Sequence, residues 1–362
     1  MKILITGGHL TPALAVIEQL GKNRVYYAGR KYSFEGEEAL SFEYREIERL
    51  KIPFLELKTG RLQRKFTRFT LVSLLKLPPG FLRAYRILKK VKPDVVLCFG
   101  SYVSVPVGIV AKLMNIPLVI HEQTLEVGFA NRILSNFADK VCISFESSRK
   151  YFPKEKCVLT GNPLRKTIKD KTNLVAQNNR IYVSGGSTGS HVINKLVEQT
   201  LTRLLSKFTI VHQTGDSRKF RDFDRLLKIK NGLDKKLAER YQPVKFLSPD
   251  ESSSEMAKAS FFVGRSGINT VCELIYLNKP ALLVPLAVSQ RNEQLKNAEY
   301  LKNLGLSEVC REEGLTAQKF AESIILLSEN LTKYKLNKNV LINDAALNVI
   351  KVLNDVHAQK NP

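Results

Sequence analysis

Tryptophan is missing from the 362 residues, histidine occurs only five times, and 34 Asp plus Glu stand against 57 Lys plus Arg. Each shortage excludes something. The surplus of positive charge, formally +23, favours phosphates, anionic lipid or nucleic acid as partners. Nucleic acid is set aside, because there is no basic segment regularly interleaved with stacking aromatics and no zinc or helix-turn-helix signature. The five cysteines (Cys98, Cys142, Cys157, Cys272, Cys310) are widely spaced and contain no C-x-x-C pair. That spacing suggests neither a zinc site nor a disulfide framework, and fits a reducing compartment. The histidines form no H-E-x-x-H or i,i+4 pair. The D-x-D spacing of Asp222 and Asp224 lies in a basic helical stretch, where a solvated face is expected, so no metal is implied. No charged leader with an apolar core precedes the first strand at Lys2, and no secretory signal is expected. Uninterrupted apolar runs are also scarce. "DVVLCFGSYVSVPVGIVAKLMNIPLVI" is long enough for a bilayer, but Gly100, Pro106, Lys112 and Pro117 divide it into strand, loop, short helix and strand of a buried core.

What is present is an alternation. Short β-branched runs at 2–6, 94–100, 117–122, 140–144 and 157–162 are separated by helical patterns, which means parallel strands with crossover helices. A polar stretch, "KDKTNLVAQNNR", interrupts the rhythm. It restarts at 180–186, 208–215, 244–247, 261–267 and 280–286. The expected organisation is two doubly wound α/β domains, 1–164 and 165–340, with a linker at about 164–179. A final helix at 341–362 can dock on either domain, and is assigned here to the N-terminal one.

Ligands of doubly wound sheets bind beyond the carboxyl ends of the strands, and those ends carry the glycine turns. "TGGHLTPALA" puts Gly8 and His9 at the mouth of a helix whose first residue is read as Pro12, beside an anion site or as an ordinary turn histidine. "SGGSTGS" sets Gly185, Gly186, Ser187 and Gly189 between a strand and a long helix, which is either a phosphate cradle or a tight turn. "GRSGINTVCE" carries Arg265, Ser266, Gly267 and Thr270, with Glu273 one helical turn further on. That carboxylate suits two adjacent ribose hydroxyls or a capping role. His191, on the helix after the second turn, is read as a surface or capping residue.

Taken in order, "GGH..PALA", "FGSYVSVP", "HEQ....G.ANR", "GNPLR", "GGSTGS", "HQTG", "RSGINTVCE" and "NEQLKNA" resemble the MurG family of glycosyltransferases. The resemblance implies a GT-B fold, two Rossmann-like parallel-sheet domains facing across a cleft. It also implies an inverting, metal-independent hexosyl transfer without a cofactor. N-acetylglucosamine would move from UDP-N-acetylglucosamine to the 4-hydroxyl of a polyprenyl-diphosphate-linked muramoyl peptide, lipid I to lipid II of peptidoglycan synthesis. The enzyme would sit peripherally on the cytoplasmic face of the bacterial plasma membrane. Donor residues by position are Arg165, Gly186, Ser187, Thr270, Glu273 and Gln294; acceptor residues are Gly8, Tyr102, His121 and Asn131. His9 is the preferred general base, with Glu122 as its orienter or as the alternative base. The pattern departs mainly in the acceptor half: the first glycine loop is about three residues shorter than the family's "GGTGGH", Ser101 replaces a glycine and Thr124 an asparagine. Thr188 stands for glutamine and Glu293 for histidine in the donor half. A different lipid or polysaccharide acceptor, a UDP-sugar epimerase and a non-catalytic sugar-nucleotide-binding subunit are the competing readings. Between 65 and 90, Phe66, Phe69, Leu74 and Leu75 lie among Lys65, Arg68, Arg83, Arg86, Lys89 and Lys90, a composition that suits an anionic membrane surface.

Overall fold

A computed structural model of the chain describes residues 1–21, 24–32, 40–60, 77–186, 188–217, 219–288, 292–337, 340, 342 and 344–360. The chain divides into two compact units, Met1–Arg165 with Ile342–Pro362, and Lys166–Leu341.

In the first unit β1 (Lys2–Gly7), α1 (Leu10–Leu20), β2 (Arg24–Gly29), α2 (Phe42–Arg49) and β3 (Phe54–Glu56) are followed by α3 (Leu77–Val91) and β4 (Val95–Phe99). Then come α4 (Ser101–Leu113), β5 (Leu118–Glu122), α5 (Phe129–Leu134), β6 (Lys140–Ile143) and β7 (Cys157–Leu159). All seven strands are parallel, in the order β3-β2-β1-β4-β5-β6-β7. Every residue of β4 and β5 is buried, because helices cover both faces of the sheet; this is why these strands are continuous apolar runs without alternation. Helix α1 begins at Leu10, two residues before Pro12, with His9 at its N-cap. Pro12 is tolerated because the N–H groups of a first helical turn have no intrahelical acceptor. The C-terminal helix, Ala345–Lys360, buries Ala345, Ala346, Val349, Val352, Leu353 and Val356, a stripe at helical spacing. That stripe joins Ile3, Leu14 and Ile17 in one core beneath the sheet. Gly161 makes the return possible: at φ +83° a side chain is strained, and a Cβ would stand 2.8 Å from that of Ile342.

In the second unit β8 (Arg180–Ser184), α6 (His191–Leu205), β9 (Thr209–Gln213), α7 (Asp222–Asn231), β10 (Tyr241–Val244) and α8 (Pro249–Lys258) form the first half. The second half is β11 (Phe261–Gly264), α9 (Ile268–Tyr276), β12 (Ala281–Leu283), α10 (Glu293–Asn303), β13 (Ser307–Val309) and α11 (Ala317–Glu329). The strand order is β10-β9-β8-β11-β12-β13, again all parallel. The strand expected at 244–247 lies three residues upstream, in "YQPV". Pro243 cannot donate to a ladder, and β10 accommodates it by being the edge strand.

The D-x-D pair splits between core and solvent. Asp222 is only 3% exposed, which corrects the expectation of a solvated face; it binds His191 Nδ1 (2.9 Å), Asn194 Nδ2 (2.8 Å) and Arg225 (2.6 Å). Asp224 pairs with Arg221 at the surface. Further in, His212 contacts Asn194 Oδ1 through Nε2 (3.0 Å) and the Tyr241 hydroxyl through Nδ1 (2.9 Å). Because the Asn194 amide nitrogen already donates to Thr214 and Asp222, its oxygen must accept, so His212 carries its proton on Nε2 and accepts from Tyr241. Burial holds His212 neutral, its pKa pulled down to about 3.

Candidate functional site

In an open parallel sheet the crevice for a ligand opens where the strand order reverses. The reversals fall between β1 and β4 in the first unit and between β8 and β11 in the second. The four turns leaving these strands are "TGGH", "FGSY", "SGGSTGS" and "GRSGIN", the turns on which the sequence motifs fall.

At the first reversal β1 ends on Gly7 and leaves Gly8 exposed. Substituting either glycine is blocked: a Cβ on Gly7 would meet the Phe99 backbone at 2.7 Å, and one on Gly8 the Ser101 side chain at 2.6 Å. Gly100, at φ +72°, lies where a Cβ would be 3.4 Å from both the His9 ring and the Asn131 amide nitrogen, so these two side chains flank one bare stretch of backbone. His9 has its pKa lowered by burial, opposed by the negative charge of Glu122. Glu122 is buried and saturated. Its Oε1 accepts from the Thr124 backbone (3.0 Å) and hydroxyl (2.6 Å), and its Oε2 from the Gly128 backbone (3.0 Å) and the Asn131 amide (3.1 Å). His121 Nε2 stands 3.2 Å from the Gly161 carbonyl, and burial pulls its pKa down to about 4. A neutral ring donating there leaves Nδ1 as an acceptor. That nitrogen and Asn131 Oδ1 are both buried without a hydrogen-bond partner among the described residues. Two unsatisfied acceptors inside one unit are costly unless something donates to them.

At the second reversal, Gly186 (φ +88°) is open to solvent, while a Cβ on Gly185 or Gly189 would collide with the backbone of Ser190 or Thr214. Ser190 caps α6 through Ile193 N–H. Arg265, in the turn after β11, is engaged by the scaffold: it donates to Ser190 Oγ (2.7 Å), the Val284 carbonyl (3.0 Å) and Glu312 (2.7 Å). It ties the two turns together. Helix α9 has Gly267 at its N-cap, which supplies no side-chain cap, and the start of a helix suits an anion. Thr270 is half-buried and Glu273 buried on this helix. Gln294 accepts from the Leu286 N–H (3.1 Å), and Ser266 donates to its carbonyl (2.7 Å), which fastens α10 to the β11 turn.

Gly8, His9, Tyr102, His121, Glu122 and Asn131 thus gather in the first unit, and Gly186, Thr270, Glu273 and Gln294 in the second. Arg165 is half-buried at the last position of the 1–165 segment. Ser187 and residues 61–76, with the apolar half of the stretch expected at a membrane surface, lie outside the described residues. His191 is neither capping nor simply superficial: it pairs with Asp222 and stacks on Phe220 at 4.0 Å. The scaffold role of Ser190 and the placement of Arg30, described below, were not visible in the sequence; both depend on partners far along the chain.

Residues 6–143 match the Glycosyltransferase family 28 N-terminal domain, and residues 180–351 the Glycosyltransferase family 28 C-terminal domain. The UDP-N-acetylglucosamine--N-acetylmuramyl-(pentapeptide) pyrophosphoryl-undecaprenol N-acetylglucosamine transferase of Clostridium botulinum (strain Loch Maree / Type A3) is 34% identical over 349 residues, 92% of each chain. The protein of that name from Clostridium tetani is 32% identical over 377 residues, 99% of each. Among solved structures, Acinetobacter baumannii MurG shares the fold with a TM-score of 0.72 at 23% identity, covering 98% of this chain and 100% of that one. With both family domains matched in order and curated relatives aligned over nearly their whole length, the chain belongs to glycosyltransferase family 28, among the MurG transferases.

Proposed function

We propose that the protein transfers N-acetylglucosamine from UDP-N-acetylglucosamine to the 4-hydroxyl of a polyprenyl-diphosphate-linked N-acetylmuramoyl peptide. The observation that carries this reading is the 34% identity, over 92% of both chains, to a transferase named for that reaction. The acceptor hydroxyl attacks the anomeric carbon, the new glycosidic bond forms as the bond to UDP breaks, and the configuration inverts. His9 takes the hydroxyl proton. Its lowered pKa keeps it neutral, hence able to accept, while the nearby charge of Glu122 favours the imidazolium that results. Glu122, with four donors on its two oxygens, positions the loop and supplies field; a carboxylate so occupied is a poor base. The α9 N-terminus, the Gly186 turn, Ser187 and Arg165 stabilise the charge that grows on the UDP leaving group, and Glu273 takes the ribose. Gln294 contacts the sugar. No metal takes part, and turnover is expected to persist in chelator.

The protein works peripherally on the cytoplasmic face of the plasma membrane. No helix among the described residues is long and apolar enough to cross a bilayer. Helix α3 carries Arg83, Arg86, Lys89 and Lys90, with Leu82 and Tyr85 exposed beside them, a face suited to anionic lipid.

The test is incubation with UDP-N-acetylglucosamine and the lipid-linked muramoyl peptide, with mass spectrometry for the disaccharide-lipid. Consumption of donor without that product would overturn the acceptor assignment. In the same assay His9→Ala is expected to lower turnover by about 10²–10⁴-fold with UDP affinity retained. A loss no larger than the fall in folded fraction would return His9 to a structural role.

A further inference from the structure

Arg30 follows the last residue of β2, next to β1 in the sheet. The register pairs Thr6 with Ala28, and just past that pair Gly8 and Arg30 each follow the last residue of these two neighbouring strands. The guanidinium lies over the Tyr102 ring, 5.4 Å from its centroid, and Tyr102 adjoins Ser101, whose side chain backs Gly8. Arg30 is therefore held at the mouth of the first unit's crevice, while Lys31 points elsewhere, over the rings of Tyr32 and Tyr44. The backbone of Arg30 is clamped as well: its carbonyl accepts from Ser41 Oγ (2.6 Å) and its N–H donates to Glu43. A cation–π contact holds a guanidinium in place and leaves its charge intact, and the fork of N–H donors that arginine carries matches phosphate oxygens. The neighbouring acidic group is Glu43, half-buried against Gly29 and bonded to Tyr27, whose hydroxyl donates to the Gly7 carbonyl (3.0 Å). Burial pushes the Glu43 carboxyl up to about 7, so at neutral pH it offsets only part of the Arg30 charge.

We propose that Arg30, held over the Tyr102 ring near the Gly8 turn, holds the diphosphate of the lipid-linked acceptor. This rests on the acceptor reading given above. It assigns to a side chain the anion binding that a short glycine turn supplies with few backbone N–H groups.

The experiment uses the full chain with two soluble acceptors, a short-prenyl muramoyl peptide linked through a diphosphate and the same molecule linked through one phosphate. Arg30→Ala is expected to lower kcat/KM on the diphosphate acceptor by about tenfold or more, through KM, because a charge-assisted bidentate contact is lost. Turnover of the monophosphate acceptor should fall less, so that the preference for diphosphate shrinks, while KM for UDP-N-acetylglucosamine stays put. Arg30→Lys, which keeps the charge without the fork, should restore part of the preference, and serves as the informative variant if Arg30→Ala folds poorly. Equal losses on both acceptors, a raised donor KM, or unchanged kinetics would overturn the assignment. Wild-type protein that turns over neither acceptor would instead remove the proposed function, and this inference with it.

Discussion

Glu122 accepts four hydrogen bonds within a span of nine residues, and so closes the loop that carries Asn131. Glu122→Gln keeps the size but turns one acceptor oxygen into an NH2 group facing N–H donors. A loss of about 1–3 kcal/mol of stability is expected, measurable by chemical denaturation; full stability would contradict the anchoring role. The buried histidines set the acid limit. His212 has a folded pKa of about 3 and His121 of about 4, both below the ordinary 6.5. Between 6.5 and those values the unfolded chain binds protons that the folded units refuse, so stability is complete above 6.5 and is lost as pH falls. The slope approaches about 1.4 kcal/mol per pH unit for each histidine. Thermal midpoints between pH 7 and 4 should therefore drop less steeply in His212→Gln, and an unaltered slope would show that His212 does not contribute. At this scale the sequence was legible where a side chain stands within a few residues of its turn, as with His9 and Glu122. It was silent where the partner is remote: Asp222 looked solvated because Asn194 and His191, 28 and 31 residues away, supply its bonds.

Among the elements, the strands that cross the middle of each sheet announced themselves by composition. Every position of β4 and β5 is buried, and an apolar run of that length has few alternatives. The edges did not. β3 and β13 are three residues each, and β10 contains a proline, so their place in the sheets comes from neighbours and not from intrinsic preference. The helix after β11 was legible from the glycine that precedes it. Gly267 gives α9 no side-chain cap, and Glu273 lies one turn and a half along the same helix, buried. Glu273→Ala is expected to weaken UDP binding by about 1.5–3 kcal/mol, the cost of a charged hydrogen bond to a ribose hydroxyl. Calorimetry on a variant that stays folded decides it, and unchanged affinity would reduce Glu273 to a buried partner of its own fold.

On the scale of the whole molecule, the first unit is assembled from both ends of the described chain. The C-terminal helix contributes Val349, Leu353 and Val356 to the core that holds α1 against the sheet, and Asn348 donates to the Thr160 carbonyl (3.3 Å). Leu353→Ala, at a site with no exposed surface, should cost about 2–5 kcal/mol. Hydrogen exchange should show the loss in residues 1–165, with the protection of 180–330 unaffected; destabilisation of the second unit alone would contradict the assignment of this helix. The same arrangement fixes an order of events during synthesis. The ribosome completes β1–β7 and then makes the entire second unit before the segment that finishes the first core appears. At about 5–20 residues per second that delay is roughly 10–40 s, during which Leu14 and Ile17 of α1 have no lid of their own and the later-made unit is free to fold first. The core beneath α1 is thus completed last, and a nascent chain stalled within the second unit would present exposed aliphatic side chains to any chaperone that binds them.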